Sequence, residues 1–411
     1  MGNFSIALSG LQADSVALNT IGNNLANLNT TAYKGQTTSF EDLFYQQIGE
    51  SGSGDAIQVG AGTRVSGTST DFTEGTILPD SNANSADMAL AGNGFFVVEQ
   101  GGVQSLTRAG NFQLSSSGDL ITQDGQQVMG YAAVNGVVNQ NSSLTPITIP
   151  VGVNEGAQAT QNFSVTTNLN SNATVGTTFS SPVQIFDSLG QSHQATVDYT
   201  KTGTNTWSYS VGLPAGDATG TPTNNTGTLT FDSSGNLVSP SGSVNNITFP
   251  GLTDGASDLS FNWNLNDSSG APTISQLASA SSNTGKLQDG FTSGVYQSFV
   301  VDPSGVITAQ FSNGRTSTIG QLAVATVANT AGLTASGGNN FATTAASGQA
   351  TIGVAGAGGR GTLDDGALEQ SNVNISTEFS NLIVAQRAFE ANSKTVTTFD
   401  TVSQDVMAMV R

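Results

Sequence analysis

NNLANLNTTAYKG, Asn23 to Gly35, follows a ladder of leucines and carries no charge until Lys34. The charged residue before Lys34 is Asp14. A helix that faces water normally carries charge on its outer side, so this stretch predicts an outer side that meets something other than solvent. Upstream, Phe4, Leu11, Leu18 and Leu25 recur every seven residues, and Leu8, Ile21 and Leu28 fill the same stripe. The pattern predicts a helix over Asn3–Leu28, about 37 Å long at 1.5 Å per residue. At the other end Ile375, Leu382, Phe389 and Val396 also step by seven, and Phe379, Phe399, Val402, Val406 and Met409 extend the stripe. A helix from Ser371 to Val410 would be about 60 Å long. Both stripes are narrow seams of the coiled-coil kind.

The stripe of the first helix offers seven large apolar side chains, each contributing about 1.5–3 kcal/mol if fully buried. Ordering its backbone costs roughly 1–2 kcal/mol per residue, and isolated helices of ordinary composition are marginal in water. The expectation is that both ends stay mostly disordered in a free monomer and fold by packing on each other and on neighbouring copies.

The chain has 411 residues and a net charge of −19, which predicts several domains and a surface that repels nucleic acid. Only 9% of residues are charged, against 50 glycines; that balance suits strands, turns and polar packing surfaces better than an enzyme. No cysteine is present, which excludes disulfides and thiolate metal sites. No apolar run is long enough for a membrane helix, so no membrane insertion is expected. The first basic residue is Lys34, so the N-terminus lacks the basic region of a secretory signal.

All ten prolines lie between Pro79 and Pro303, and the middle of the chain reads as strand and turn. Gly92–Tyr131 alternates β-prone runs with glycine turns, and Ser117-Gly118-Asp119-Leu120, Ser234-Gly235-Asn236-Leu237 and Ser304-Gly305-Val306-Ile307 each read as a hairpin turn. Between about Pro150 and Gly285 the chain is rich in Thr, Asn, Ser and Gly and holds both tryptophans, Trp207 and Trp263. The fold class predicted is mainly β with α-helical termini, nested β domains lying between helices that form a coiled-coil-like pair. The expected division is a terminal helical part (1–32 and 370–411), an extended connector (33–71), a discontinuous β domain (72–149 and 286–369) and an inserted β domain (150–285).

Catalytic motifs are weak. Gly356-Ala357-Gly358-Gly359-Arg360-Gly361 fits a dinucleotide pattern, but that site needs a strand before and a helix directly after; a flexible connector is the better reading. Gly285-Lys286 lacks the earlier Gly and the following Ser or Thr of a phosphate loop, since Ala280 and Leu287 stand there. His193 is the only histidine, so a His-rich zinc site is excluded, no nucleophile elbow accompanies it, and it reads as a surface strand residue. Asp364-Asp365 reads as a solvated loop rather than a calcium site, and nothing selects a carboxylate pair for glycoside hydrolysis. No catalytic, cofactor or metal residue is expected.

Ser9-Gly10-Leu11 with Ile21-Gly22 and the quoted stretch resembles the N-terminal signature of the bacterial flagellar rod and hook proteins. Leu368–Asp400 resembles their C-terminal signature, and Glu41–Gln46 and Gly92–Val98 extend the likeness inward. Ala32 stands where the group usually has Gly, Phe389 where it has Tyr, and Asn374 where Asp is common. The length and the inserted domain resemble the hook branch more than the shorter rod members. The resemblance implies a homopolymer of many copies, forming a curved tube outside the cell that carries torque from rod to filament. It implies as partners a distal rod protein, a hook cap protein, a hook–filament junction protein and the flagellar type III export apparatus, which would pass the chain unfolded with no cleaved signal. Under this reading the assembly residues are Leu11, Leu18, Ile21, Asn24, Leu25, Asn27, Leu28, Ile375, Leu382, Gln386, Arg387, Phe389 and Val396. Gly10, Gly22 and Ala26 would let helices approach. A distal rod or other axial subunit, a secreted β-rich adhesin and a secreted hydrolase are the competing readings.

Overall fold

The structure, a computed structural model, describes residues 2–50, 52, 56–79 and 86–409. Two helices bound the chain, α1 (Gly2–Ala26) and α2 (Ile375–Met409), with strands between them. Val410, the expected last residue of the second helix, lies outside the described residues. The N-terminal helix stops short of Leu28 because Asn27 and Leu28 turn back on Asn24 and Leu25. The C-terminal helix starts four residues later than Ser371, where Asn374 takes the cap: its Oδ1 accepts the N–H groups of Ser376 and Thr377 at 3.0 and 3.1 Å.

The chain divides into two compact units. The first comprises Met1–Val151, Ser298–Ala309 and Ser317–Arg411, and the second comprises Gly152–Gln297 and Gln310–Thr316. Two expected boundaries change. The return from the insertion does not fall at 286, because Ser282–Gln288 is paired with Asn162–Asn170 inside the second unit. The connector over 33–71 is extended but paired: β1 (Gln36–Asp42) runs antiparallel to β4 (Thr63–Thr70), and β2 (Tyr45–Glu50) to β3 (Ala56–Gly60). The β1–β4 ladder packs on α1, so the helical ends belong to the first unit rather than to a separate body.

In the first unit Gln127–Val134 pairs with Thr316–Thr326, and the hairpin of Phe95–Gln100 and Val103–Thr107 joins the same sheet. Phe95, Val97, Leu106, Met129, Tyr131, Ala323, Ala325 and Phe341 form its core on one face. Phe72 closes that core with edge-on contacts to Phe95 and Phe341, at 5.7 and 5.0 Å between ring centroids. In the second unit two five-stranded sheets share one apolar core. Alternation along Ser192–Gly203 and Thr206–Gly212 puts every second side chain inside, mostly apolar ones. Trp207 and Trp263 sit at its centre, fully buried, and Trp207 donates its indole N–H to Gln276 Oε1 at 2.8 Å. Thus both tryptophans report on the second unit alone.

The three look-alike turns each carry a left-handed glycine, Gly118, Gly235 and Gly305, with φ of 86°, 83° and 86°. Asp364-Asp365, expected in a loop, instead ends the strand Thr362–Asp365 paired with Met88–Ala91. Gly356–Gly361 is a turn between the strands Thr351–Val354 and Thr362–Asp365, so no helix follows it.

Candidate assembly surface and its anchor

The uncharged stretch before Lys34 is spent on internal hydrogen bonds. Asn23 Nδ2 donates to Tyr33 Oη at 3.0 Å, and Asn27 Nδ2 to the Asn23 carbonyl at 2.9 Å. Asn24, only 1% exposed, treats Gln36 as a strand would: its Nδ2 donates to Gln36 O at 2.8 Å and its Oδ1 accepts Gln36 N–H at 2.9 Å. The same amide reaches Glu378 Oε1 of α2 at 3.3 Å. Asn24→Ala should therefore cost about 1–3 kcal/mol by orphaning the Gln36 backbone groups, read as a lower midpoint in denaturant followed by far-UV circular dichroism.

The end of the stretch locks onto residues just before α2. The Ala32 N–H donates to Glu369 O at 2.8 Å, and Gly35 N–H to Asn372 Oδ1 at 2.8 Å. Ala32 is buried in the left-handed region, φ 54°, a conformation glycine adopts without strain. Lys34 Nζ donates to Glu369 Oε1 at 2.6 Å and to Thr73 O at 2.7 Å. Arg108 Nε donates to the other oxygen, Glu369 Oε2, at 3.0 Å, while its Nη atoms donate to the carbonyls of Leu90, Gly92 and Gly94. Gly75 N–H donates to Glu369 Oε1 at 2.8 Å; a Cβ at Gly75 would collide with the Gln370 carbonyl. Burial pushes the Glu369 carboxyl up, but the Arg108 charge and the hydrogen bonds it receives outweigh that and hold it below its usual range. Burial draws the Lys34 ammonium down, and the Glu369 carboxylate opposes the shift. The two terminal signatures are thus two sides of one buried anchor.

From the anchor the helices run antiparallel: Asn24 meets Glu378, and Asp14 Oδ2 accepts from Asn392 Nδ2 at 2.9 Å. Gly10 permits this approach, since a Cβ there would lie 2.7 Å from Asn392 Nδ2. Along α2 the half-buried residues include Glu378, Leu382, Ala385, Asn392, Val396 and Phe399, stepping by threes, fours and sevens as a heptad seam requires. The single chain therefore holds both ends as a helical pair, where disorder had been expected. The pair does not bury them. No described residue of α2 is buried. Phe379, Ile383 and Val384 are 50%, 52% and 68% exposed, and Val402, Val406, Met407 and Met409 lie at least half open.

Of the sequence-expected assembly residues, Asn24 is buried within the chain, and Leu11, Leu18, Ile21, Leu25, Asn27, Leu28, Leu382 and Val396 are half-buried. Ile375, Gln386, Arg387 and Phe389 face outward. A groove of about 360 Å³ lies between α1, β1 and α2, with Ala17, Ile21, Val384, Ala385 and Ala388 as apolar lining and Asp14 and Glu378 also on its wall. Sequence reading missed the β2–β3 hairpin, where Tyr45 and Ile48 are 60% and 63% exposed, and Phe44 just before it, which is 91% exposed. Its signal was there, a run of aromatic and aliphatic residues with no matching core partner.

His193 departs from the surface reading. It is 7% exposed, its Nδ1 and Nε2 each 3.0 Å from a carboxylate oxygen of Asp217 and Asp187. Burial draws the imidazole down, and these carboxylates more than offset that, raising it above its ordinary value.

Four family models match the chain: "Flagella basal body rod protein" over residues 4–34, "Flagellar hook protein FlgE/F/G D1 domain" over 89–168, "Flagellar basal body protein FlaE D2 domain" over 158–291, and "Flagellar basal body rod FlgEFG protein C-terminal" over 364–409. The flagellar hook protein FlgE of Salmonella typhimurium is 35% identical over 97% of both chains. That of Treponema pallidum is 32% identical over 98% of both. The fold is shared with the crystal structure of Helicobacter pylori flagellar hook protein FlgE2, at a TM-score of 0.54 and 15% identity, covering 71% of this chain and 100% of that one. With relatives of this identity aligned end to end, and with its terminal signatures joined in one anchor between helices left open to partners, the chain belongs to the flagellar hook protein family.

Proposed function

We propose that many copies of this chain polymerise through α1 and α2 into a curved tube that joins rod to filament and transmits torque while bending. The observation that carries this is the state of α2: a 35-residue helix with no buried residue but with an apolar stripe. Such a helix gains its stability from neighbours. Leu11, Leu18, Ile21, Leu25 and Leu28 with Leu382 and Val396 hold the pair together. Ile375, Gln386, Arg387 and Phe389 with Phe379 and Ile383 meet other copies. A head-to-tail contact that does not close on itself produces an open helical polymer, as a tube needs. The polar surfaces of the β units suit contacts that slide as the tube bends. A distal rod protein, a cap, a hook–filament junction protein and the type III export apparatus are the proposed partners, with export of the unfolded chain.

Electron microscopy of basal bodies from cells lacking the gene tests this. A complete rod with no curved hook is the expected result. Bodies that lack the distal rod would move the chain to the rod, and intact hooks carrying filaments would overturn the proposal.

A further inference from the structure

We propose that the second unit holds a divalent transition-metal ion of the zinc type on Asp187, His193 and Asp254. The donor atoms are already gathered. His193 Nε2 lies 3.0 Å from Asp187 Oδ2 and 3.4 Å from Asp254 Oδ2, and all three ligand atoms lie within 4.8 Å of one another. Ligands bound to zinc at about 2.0–2.2 Å are separated by about 3.0–3.5 Å for angles between 90° and 110°. Both spacings from His193 Nε2 fall in that range.

The atoms behind the donors are arranged as such a site requires. Asp187 Oδ1 accepts the N–H groups of Leu189 and Gln191 at 2.8 and 2.9 Å, and Asp254 Oδ1 accepts that of Ala256 at 3.0 Å. Each carboxylate is thereby fixed through one oxygen and aims the other at Nε2. On the far side of the ring, Asp217 Oδ2 sits 3.0 Å from Nδ1, placed to accept a hydrogen bond from Nδ1–H in the neutral tautomer whose Nε2 lone pair faces the two carboxylates. A carboxylate behind a ligating histidine is the usual second support of a bound metal. A lone pair aimed at two anionic oxygens is repulsive unless a cation stands between them.

Charge decides which cation. A proton on Nε2 leaves one imidazolium against three carboxylates, with the Asp187 side chain wholly buried. A divalent ion with a neutral imidazole leaves one net negative charge in place of two, and water can complete its shell because the Asp217 and Asp254 side chains remain 30% and 27% exposed. The nitrogen donor favours zinc over calcium, which takes oxygen ligands. A bound ion would tie the loops holding Asp217 and Asp254 to the turn at Asp187–Gln191.

The test uses the full-length monomer after treatment with a chelator, titrated with zinc chloride at pH 7.5. Because both tryptophans lie in the second unit, the tryptophan fluorescence melt reads this unit alone. The expected result is a melting temperature raised by several degrees, saturating at one equivalent in calorimetry. Asp254→Asn, a partly exposed side chain whose loss leaves the fold standing, should abolish the zinc-dependent rise while keeping the apo melt. His193→Ala should abolish zinc binding too. No zinc-dependent shift in the wild type, with a melt that instead rises as pH falls from 8 to 6, would overturn the proposal and make the cluster an imidazolium tie. That sign follows because a raised histidine stabilises fully below its unfolded value and loses the effect as pH climbs through its folded value.

Discussion

Glu369→Gln should lower the melting temperature of the first unit by on the order of 10 °C and leave the tryptophan-reported melt of the second unit in place. The carboxylate is the only anion within hydrogen-bond reach of both Lys34 and Arg108 among the described residues, and it is 1% exposed. Glu74, the other acid near Arg108, stands 3.9 Å off and is 40% exposed at its side chain. An amide at 369 leaves two cations buried side by side with no adequate counter-charge. Removing one partner from a buried ionic cluster costs about 3–5 kcal/mol, and in a unit of this size each kcal/mol moves the melt by about 2–4 °C. Far-UV circular dichroism with tryptophan fluorescence on the same sample separates the two units. An unmoved dichroism melt would show that the anchor does not hold the first unit together. The pH dependence has a definite sign. Because the Glu369 carboxyl is held below its ordinary value, its stabilisation is fully present above the unfolded value of 4.5. It is lost as pH falls through the folded value. The first unit of the wild type should weaken in acid, and Glu369→Gln should flatten that limb.

The seams of α1 and α2 were legible because apolar periodicity is a local signal: Leu11, Leu18 and Leu25, or Leu382, Phe389 and Val396, declare themselves within one element. The nested order was legible from where Pro, Trp and Gly fall along the chain. The anchor was not. Lys34 and Glu369 are 335 residues apart and Arg108 and Glu369 are 261 apart, and no local pattern marks such a partnership. The asparagines show the same limit. Asn24 was expected to serve contacts between copies, yet its amide is consumed by the Gln36 backbone. A side chain and a strand edge look alike as hydrogen-bonding groups, and sequence does not say which the amide will meet. His193 misled for a related reason. One histidine excludes a His-rich site but says nothing of carboxylates that folding delivers from separate turns.

Ile383→Asp together with Phe379→Asp should abolish polymerisation and leave the monomer as stable as the wild type. Both side chains are at least half exposed in the single chain, and surface substitutions away from special contacts change stability by about 0.5 kcal/mol or less. In a polymer the same positions would place carboxylates in an apolar contact, where an unpaired charge is strongly disfavoured. Leu382→Asp and Leu18→Asp form the contrasting pair. Their positions are half-buried and Leu382 lies on the seam toward α1, so they should lower the monomer's helical signal and block assembly as well. The comparison separates two roles that adjacent residues play on one helix. If α1 and α2 only steadied the first unit, the Phe379/Ile383 variant would form tubes and support swimming, while the Leu382 variant alone would fail. If the outer stripe is the polymer contact, the Phe379/Ile383 variant yields soluble monomer of unchanged melt. Electron microscopy then shows no tubes, and motility is lost in cells that carry the variant as their sole copy.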